Sequence, residues 1–295
     1  MEITVKQINK LISFGFFAIT YHASVYAADS DQWASAVLGF SSQYSTTSWS
    51  AAKALGVPDV TAYADNSNAW TSSSQTGTLE YIALSYPIAV YAYGATIRET
   101  WGNGFVYKVD VKDTGGVWHT VWQGTDSSLP GKPVNFFVGW NATNYLVDGV
   151  KVYVNTSLNT TTWEEIDAVQ LHGLTTNTLP AISIKSPDNV ASESFLSTGV
   201  FVISRDYFPD ITNPLTVSYL IQGDAANGVD YNSAAPLTGT VTIPAGKKSV
   251  GLTIKPVDDK VVEKTEKVTL TLQANADYQI LSKFKTATLT INSDE

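Results

Sequence analysis

Four carboxylates fall within nine residues of the stretch PVDDKVVEKTE, Pro256 to Glu266: Asp258, Asp259, Glu263 and Glu266. Carboxylates at that density suit calcium, because hard dications take six to eight oxygen ligands, mostly from carboxylates and backbone carbonyls. Two like charges ~4 Å apart repel by about 4 kcal/mol at an effective dielectric near 20, so such a cluster is costly without a cation. Lys260, Lys264 and Lys267 supply some neutralisation. A solvated acidic rim is the plain alternative.

Two other groups of residues invite a chemical reading. Glu99, Glu165 and Asp167 contain the makings of the acid pair that glycoside hydrolysis needs, with carboxyl groups ~5 to 9.5 Å apart. Glu165 and Asp167 stand at i and i+2 of a strand, about 6.5 to 7 Å apart by strand rise. Nothing in the sequence marks one of them for a raised pKa, and outward polar positions bracketing Ile166 and Ala168 are the commoner explanation. Trp70, Trp101, Trp118, Trp122, Trp140 and Trp163 are many tryptophans for one domain. Most large aromatics in a β-sandwich are core, but exposed ones stack on sugar rings. Trp70 and Trp101, beside turns, are the candidate ligand-binding residues.

Catalytic signatures are sparse. Beyond residue 27 the histidines are His119 and His172, which excludes a three-histidine zinc site, and H-E-x-x-H does not occur. There is no G-x-S-x-G elbow, no cysteine and no glycine-rich phosphate loop ahead of a helix. The expectation is a non-enzyme with no catalytic residues.

The elements that must position these residues are strands. In the first half, β-branched and aromatic runs recur at Leu79 to Tyr86, Phe105 to Lys112, Val117 to Gln123, Leu146 to Val154 and Ile166 to Leu171, separated by turn clusters such as Gly102-Asn103-Gly104. One helical segment is expected over Trp49 to Leu55, capped by Ser48 and ended by Gly56. The polar stretch 175–180 reads as a linker. Strands return at Ala181 to Ile184, Gly199 to Ser204, Leu215 to Gln222, Gly239 to Ile243, Lys248 to Pro256, Lys267 to Gln273 and Lys285 to Ile291. Val268, Leu270 and Leu272 alternate with Thr269, Thr271 and Gln273, giving one buried and one wet face. The pattern predicts an all-β chain of two β-sandwich domains, 28–174 and 181–295.

Residues 1–27 have the build of a secretory signal: Lys6 and Lys10, an apolar run from Leu11 to Tyr21, and Val25-Tyr26-Ala27 as a cleavage site. That run is short of the ~20 residues a spanning helix needs, and no second apolar span follows. With 44% hydrophobic and 15% charged residues among 295, both halves have material for cores. Zero cysteines means that an exported chain of this kind relies on those cores, and on metal, rather than on disulfides. A formal net charge of −9 argues against nucleic acid, which needs basic patches to neutralise phosphates, and against anionic membranes.

Two family resemblances sharpen these expectations. Gly223-Asp224-Ala225, Asn227-Gly228-Val229-Asp230-Tyr231, Ile243-Pro244-Ala245-Gly246, Val257-Asp258-Asp259, Glu263 with Glu266, and Ala287-Thr288-Leu289-Thr290-Ile291 resemble a bacterial Calx-beta domain. The resemblance implies an immunoglobulin-like sandwich and, carried over position by position, calcium ligands at Glu193, Asp230, Asp258, Asp259, Glu263 and Glu266. It adds Asp294 from the last acidic cluster and the Val261 carbonyl. Lys260 and Ser293 depart from the richest pattern, which implies fewer or weaker ions. WSAAKALGVP at Trp49 to Pro58, Glu80-Tyr81-Ile82-Ala83-Leu84, Ile97-Arg98-Glu99-Thr100 and Glu164 to Gly173 are similar to the scarf domain of pappalysin-type proteins. That resemblance implies a jelly-roll or galactose-binding-like sandwich with no settled ligand.

Together these expectations describe a secreted or cell-surface bacterial protein for recognition or adhesion, with Ca²⁺ in its second domain and an extracellular glycan or protein as partner. The alternatives are an accessory carbohydrate-active enzyme and a calcium-dependent structural matrix protein. Oligomeric state is not legible in the sequence.

Overall fold

The computed structural model describes residues 29–158, 161–207 and 211–293. The regular structure among them is β, apart from short 3-10 turns. The segment expected to be a helix is one of these, Ala51–Ala54, preceded by Ser50 rather than capped by Ser48. Trp49 stands in its way: at φ 51° it is left-handed, so it cannot open a right-handed helix. No helix among the described residues is long and apolar enough to cross a membrane.

The first sandwich is built from β1 (Asp29–Trp33), β2 (Ala36–Phe40), β3 (Leu79–Trp101), β4 (Val106–Asp113), β5 (Trp118–Gln123), β6 (Val134–Gly139), β7 (Val147–Asn155) and β8 (Glu165–Leu174). Strand β3, 23 residues long, serves both layers. Its first half pairs with β2 and β7, its second half with β6 and β8. The ladder to β7 breaks between Ser85 and Val90, around Pro87, which has no N–H to donate and so suits a gap in the ladder. Ile82, Leu84, Ile97, Val109, Val111, Val150, Val152 and Leu171 fill the core between the layers.

The second sandwich comprises β9 (Ala181–Asp188), β10 (Val190–Ser192), β11 (Gly199–Tyr207), β12 (Leu215–Gly223), β13 (Thr240–Ile243), β14 (Ser249–Ile254), β15 (Glu266–Leu272), β16 (Gln279–Ile280) and β17 (Thr286–Asn292). One sheet runs β10-β17-β15-β12-β13 and the other β14-β11-β9-β16. Val268, Leu270 and Leu272 are buried and the threonines between them are not, as the alternation requires.

The two sandwiches meet over a small apolar patch of Tyr93, Leu174, Ala181 and Leu281. Asp31 of β1 accepts a hydrogen bond from Ser282 at 2.6 Å and pairs with His172 Nδ1 at 2.7 Å, so one carboxylate ties both domains. Gln279 donates to the carbonyls of Thr176 and Leu179, fixing the polar connection. Leu281 is 1% exposed, and Leu281→Ala is expected to cost about 2–5 kcal/mol through the cavity it leaves. Denaturant unfolding of the full chain checks this, and an unchanged midpoint would show that the patch does not contribute.

Candidate metal centre

At one end of the second sandwich the chain brings together three acidic side chains from two segments. Glu266 opens β15, Glu263 lies three residues earlier on the approach from β14, and Asp230 comes from the turn that follows β12. One carboxylate oxygen of each lies within 4.8 Å of the others.

Backbone bonds hold that geometry. Asp230 accepts from the Ala226 N–H at 2.6 Å, while its own carbonyl accepts from Val257 N–H at 2.9 Å, which anchors the start of the acidic stretch. Gly228, at φ 86°, supplies the left-handed residue that this turn needs. Tyr231 is fully buried next to Asp230 and bridges to Pro256. Asp224 accepts from Lys267 N–H at 2.6 Å, fixing the residue after Glu266. Gly223 tolerates no side chain, because a Cβ there would overlap the Lys267 carbonyl oxygen.

The electrostatics are those of carboxylates crowded together. Burial, then the charges of Asp230 and Glu263, push the Glu266 carboxyl up to about 7. Glu266 Oε2 is buried without a hydrogen-bond partner, and so is Ser293 Oγ, just past the end of β17, the strand that pairs with β15. Hard oxygens, like charges in contact and an unpaired buried carboxylate oxygen fit a calcium ion.

Of the residues expected as ligands, Asp230, Glu263 and Glu266 are gathered. Glu193 is buried one strand away: its N–H donates to Asn292 of β17, the strand that lies between it and β15. Asp258 and Asp259 are exposed on the loop and outside the three-carboxylate group. Asp259 turns back to accept from Val261 N–H at 2.7 Å. Asp294 lies outside the described residues.

In the first sandwich the expectations need correcting. Trp70 is 1% exposed, a core residue whose indole N–H donates to the Ser42 carbonyl, so it offers no stacking face. Trp101 is partly covered and packs against Tyr63 with ring centroids 4.6 Å apart. The open aromatic cleft lies elsewhere, among Tyr44, Trp49 and Trp163 with Asp65 and Thr71. No motif spacing marks it, because loops far apart in sequence build it.

Glu165 and Asp167 are not outward polar positions either. Both are buried on β8. Glu165 accepts from Asn66 N–H and the Trp49 indole, and Asp167 from Val60 N–H at 3.2 Å, so the pair clamps the loop that crosses them. Burial raises Glu165 to about 8 and Asp167 to about 6. Glu99, also fully buried, is pushed to about 10 by burial and by the neighbouring Asp126. Glu164 is raised to about 8 by burial, which outweighs the opposing hydrogen bond from its own backbone N–H.

Residues 26–181 match the family model of the pappalysin-1 SD scarf domain, C-terminal. The chain belongs to this scarf-domain family. Residues 176–295 match the Calx-beta domain, so the three-carboxylate group belongs to the Calx-beta part and the buried acids to the scarf part. No curated protein compared with the chain matches it. Among solved structures, the calcium binding domain CBD12 of CALX1.1 is 24% identical at a TM-score of 0.31, covering 38% of this chain and 44% of that one. The apo-form Calx CBD1 domain is 22% identical at 0.30, covering 38% and 99%. A fucolectin from striped bass (Morone saxatilis) serum is 12% identical at 0.32, covering 89% and 94%.

A carboxyl whose folded pKa lies above its unfolded value binds its proton more tightly when folded, so stability falls as pH rises between the two values. For Glu164 in the scarf domain that window runs from about 4.5 to about 8. Glu164→Gln is therefore expected to raise Tm by several degrees at pH 8 and to change it little at pH 4, as read by calorimetry at both pH values. Equal shifts at both would exclude titration of Glu164 as the cause.

Proposed function

We propose that the chain is an exported, non-catalytic recognition or adhesion protein. Calcium held by Asp230, Glu263 and Glu266 stiffens the Calx-beta domain, and the scarf domain presents the surface that meets an extracellular glycan or protein. The meeting of Asp230 with Glu263 and Glu266 of the acidic stretch carries this reading. The Calx-beta match supports calcium as the ion, and export rests on the signal-like pattern of residues 1–27.

The ion supplies positive charge where three carboxylates converge. The residues themselves do the rest: Asp230 fixes the entry of the acidic stretch, Glu263 closes it, and Glu266 ties the group to the buried strand β15. Cation binding thereby links the stretch between β14 and β15 to the sheet. Extracellular calcium modules have dissociation constants of about 10⁻⁴ to 10⁻³ M, and ion at tenfold excess over that constant stabilises the folded state by about 1.4 kcal/mol.

Thermal melts of the full chain in chelator and in millimolar calcium test the proposal. The expected result is a calcium-dependent rise of several degrees that Glu263→Gln/Glu266→Gln lacks. No rise at several millimolar calcium would contradict it.

The pH dependence has a definite sign. Because Glu266 holds its proton up to about 7, calcium must displace it. Affinity is expected to fall as pH drops below 7, with a proton released on binding at pH 6.5 and little released at pH 8.5. Calorimetry in buffers of different ionisation enthalpy reads that release directly, and equal proton counts at the two pH values would remove Glu266 from the ligand set.

A further inference from the structure

Three aromatic rings and a carboxylate meet at one corner of the scarf domain. Tyr44 stands edge-on to two indoles, with ring centroids 5.3 Å from Trp49 at 69° and 5.3 Å from Trp163 at 82°. Asp65 and Thr71 complete the lining of a cleft of about 270 Å³, open mouth included. Asp65 is exposed, and no basic residue lines the cleft.

The walls are built in advance. The Trp49 indole N–H is shared between Asp65 Oδ1 at 3.0 Å and Glu165 Oε1 at 3.1 Å. Its backbone N–H donates to Ser67 at 2.9 Å, and its φ of 51° puts it in the left-handed region, which a bulky residue occupies only when its surroundings hold it there. Tyr44 N–H donates to the Thr71 carbonyl at 3.1 Å. Thr71 is 2% exposed, and its Oγ1 lacks a hydrogen-bond partner. A buried hydroxyl oxygen with no partner costs about 1–3 kcal/mol, and a donor brought by a ligand would offset that.

We infer that this cleft is an aromatic cage for an organic ammonium group of the methylated-amine class, with Tyr44, Trp49 and Trp163 as walls, Asp65 as counter-charge and Thr71 as acceptor for a neighbouring ligand O–H or N–H. Cations are attracted to the faces of tryptophan and tyrosine rings, and cages of this kind hold quaternary ammonium ligands. Sugar stacking wants one flat, open ring face, whereas near-perpendicular rings form a corner. The cleft is small and open at its mouth, so it suits a head group rather than an oligosaccharide. The inference deepens the recognition reading of the scarf domain and does not involve the calcium site.

The test is titration of the full chain with choline, followed by tryptophan fluorescence and calorimetry, in chelator and again in calcium. The expected result is saturable binding near or below about 10⁻³ M, equal in both conditions and at least tenfold weaker for 3,3-dimethylbutan-1-ol, the neutral isostere of choline. Trp163→Leu is expected to weaken choline binding at least tenfold, and Asp65→Asn severalfold, with circular dichroism spectra unchanged. Equal binding of the neutral isostere would overturn the cage and leave an apolar slot. Binding of methyl galactoside without binding of choline would replace it with a sugar subsite, and no saturable binding of choline would overturn it outright. The isostere comparison uses the unaltered chain, so it decides the matter even if a variant fails to fold, and none of these outcomes depends on calcium.

Discussion

The repulsion among Asp230, Glu263 and Glu266 is the constraint that organises the end of the Calx-beta domain. Three carboxylate oxygens within 4.8 Å would spring apart on free side chains. Here the turn at Gly228, the bond from Val257 to Asp230 and the strand start at Glu266 hold them in place. The protein meets part of the cost by letting Glu266 keep a proton up to about 7. A divalent cation would remove the same repulsion without protonation, and the proposal of an ion site rests on that equivalence.

The scarf domain handles its acids differently. Glu165 and Asp167 are buried, yet backbone N–H groups from the loop over β8 reach both. Side chains that would be a liability if left unpaired thereby fasten the loop that carries Trp49 and Asp65. The same loop and the Tyr44 segment frame the aromatic cleft, so the buried carboxyls on β8 and the cleft above them are two faces of one arrangement. Asp31 does comparable work at the junction. Burial acts to raise its pKa, but the His172 contact and the Ser282 hydrogen bond outweigh that and hold it below the usual carboxylate value. Its contribution to the junction is thus present above about pH 4 and lost as pH falls through the depressed value.

Much of the fold was legible because alternation and turn chemistry are local signals. The strands of the Calx-beta domain sit within a few residues of where the apolar periodicity places them, apart from β10 and β16, which are three and two residues long. In the scarf domain β1 was missed because DSDQW has no apolar alternation, and its pairing with β8 alone makes it a strand. The full reach of β3 was hidden by Pro87, which looks like a strand end and instead sits at a register shift within a continuous strand. Site residues followed the same division. Glu263 and Glu266 were visible as a local run and Asp230 through its turn motif. Asp258 and Asp259 were equally conspicuous in sequence but lie outside the gathered group, since alternation says nothing about where an irregular loop places its side chains. Trp70 had the right chemistry for stacking and the wrong burial. Tyr44, Trp49 and Trp163 are brought together only by the fold, so neither spacing nor composition could have joined them.

The central claim is that the three gathered carboxylates hold the ion, and not the conspicuous pair Asp258 and Asp259. A crystal structure of the full chain grown in about 10 mM calcium addresses this most directly. The account predicts an ion bonded to oxygens of Asp230, Glu263 and Glu266 at about 2.3–2.6 Å. An ion held by Asp258 and Asp259 without those three, or no ion at this end of the sandwich, would contradict it.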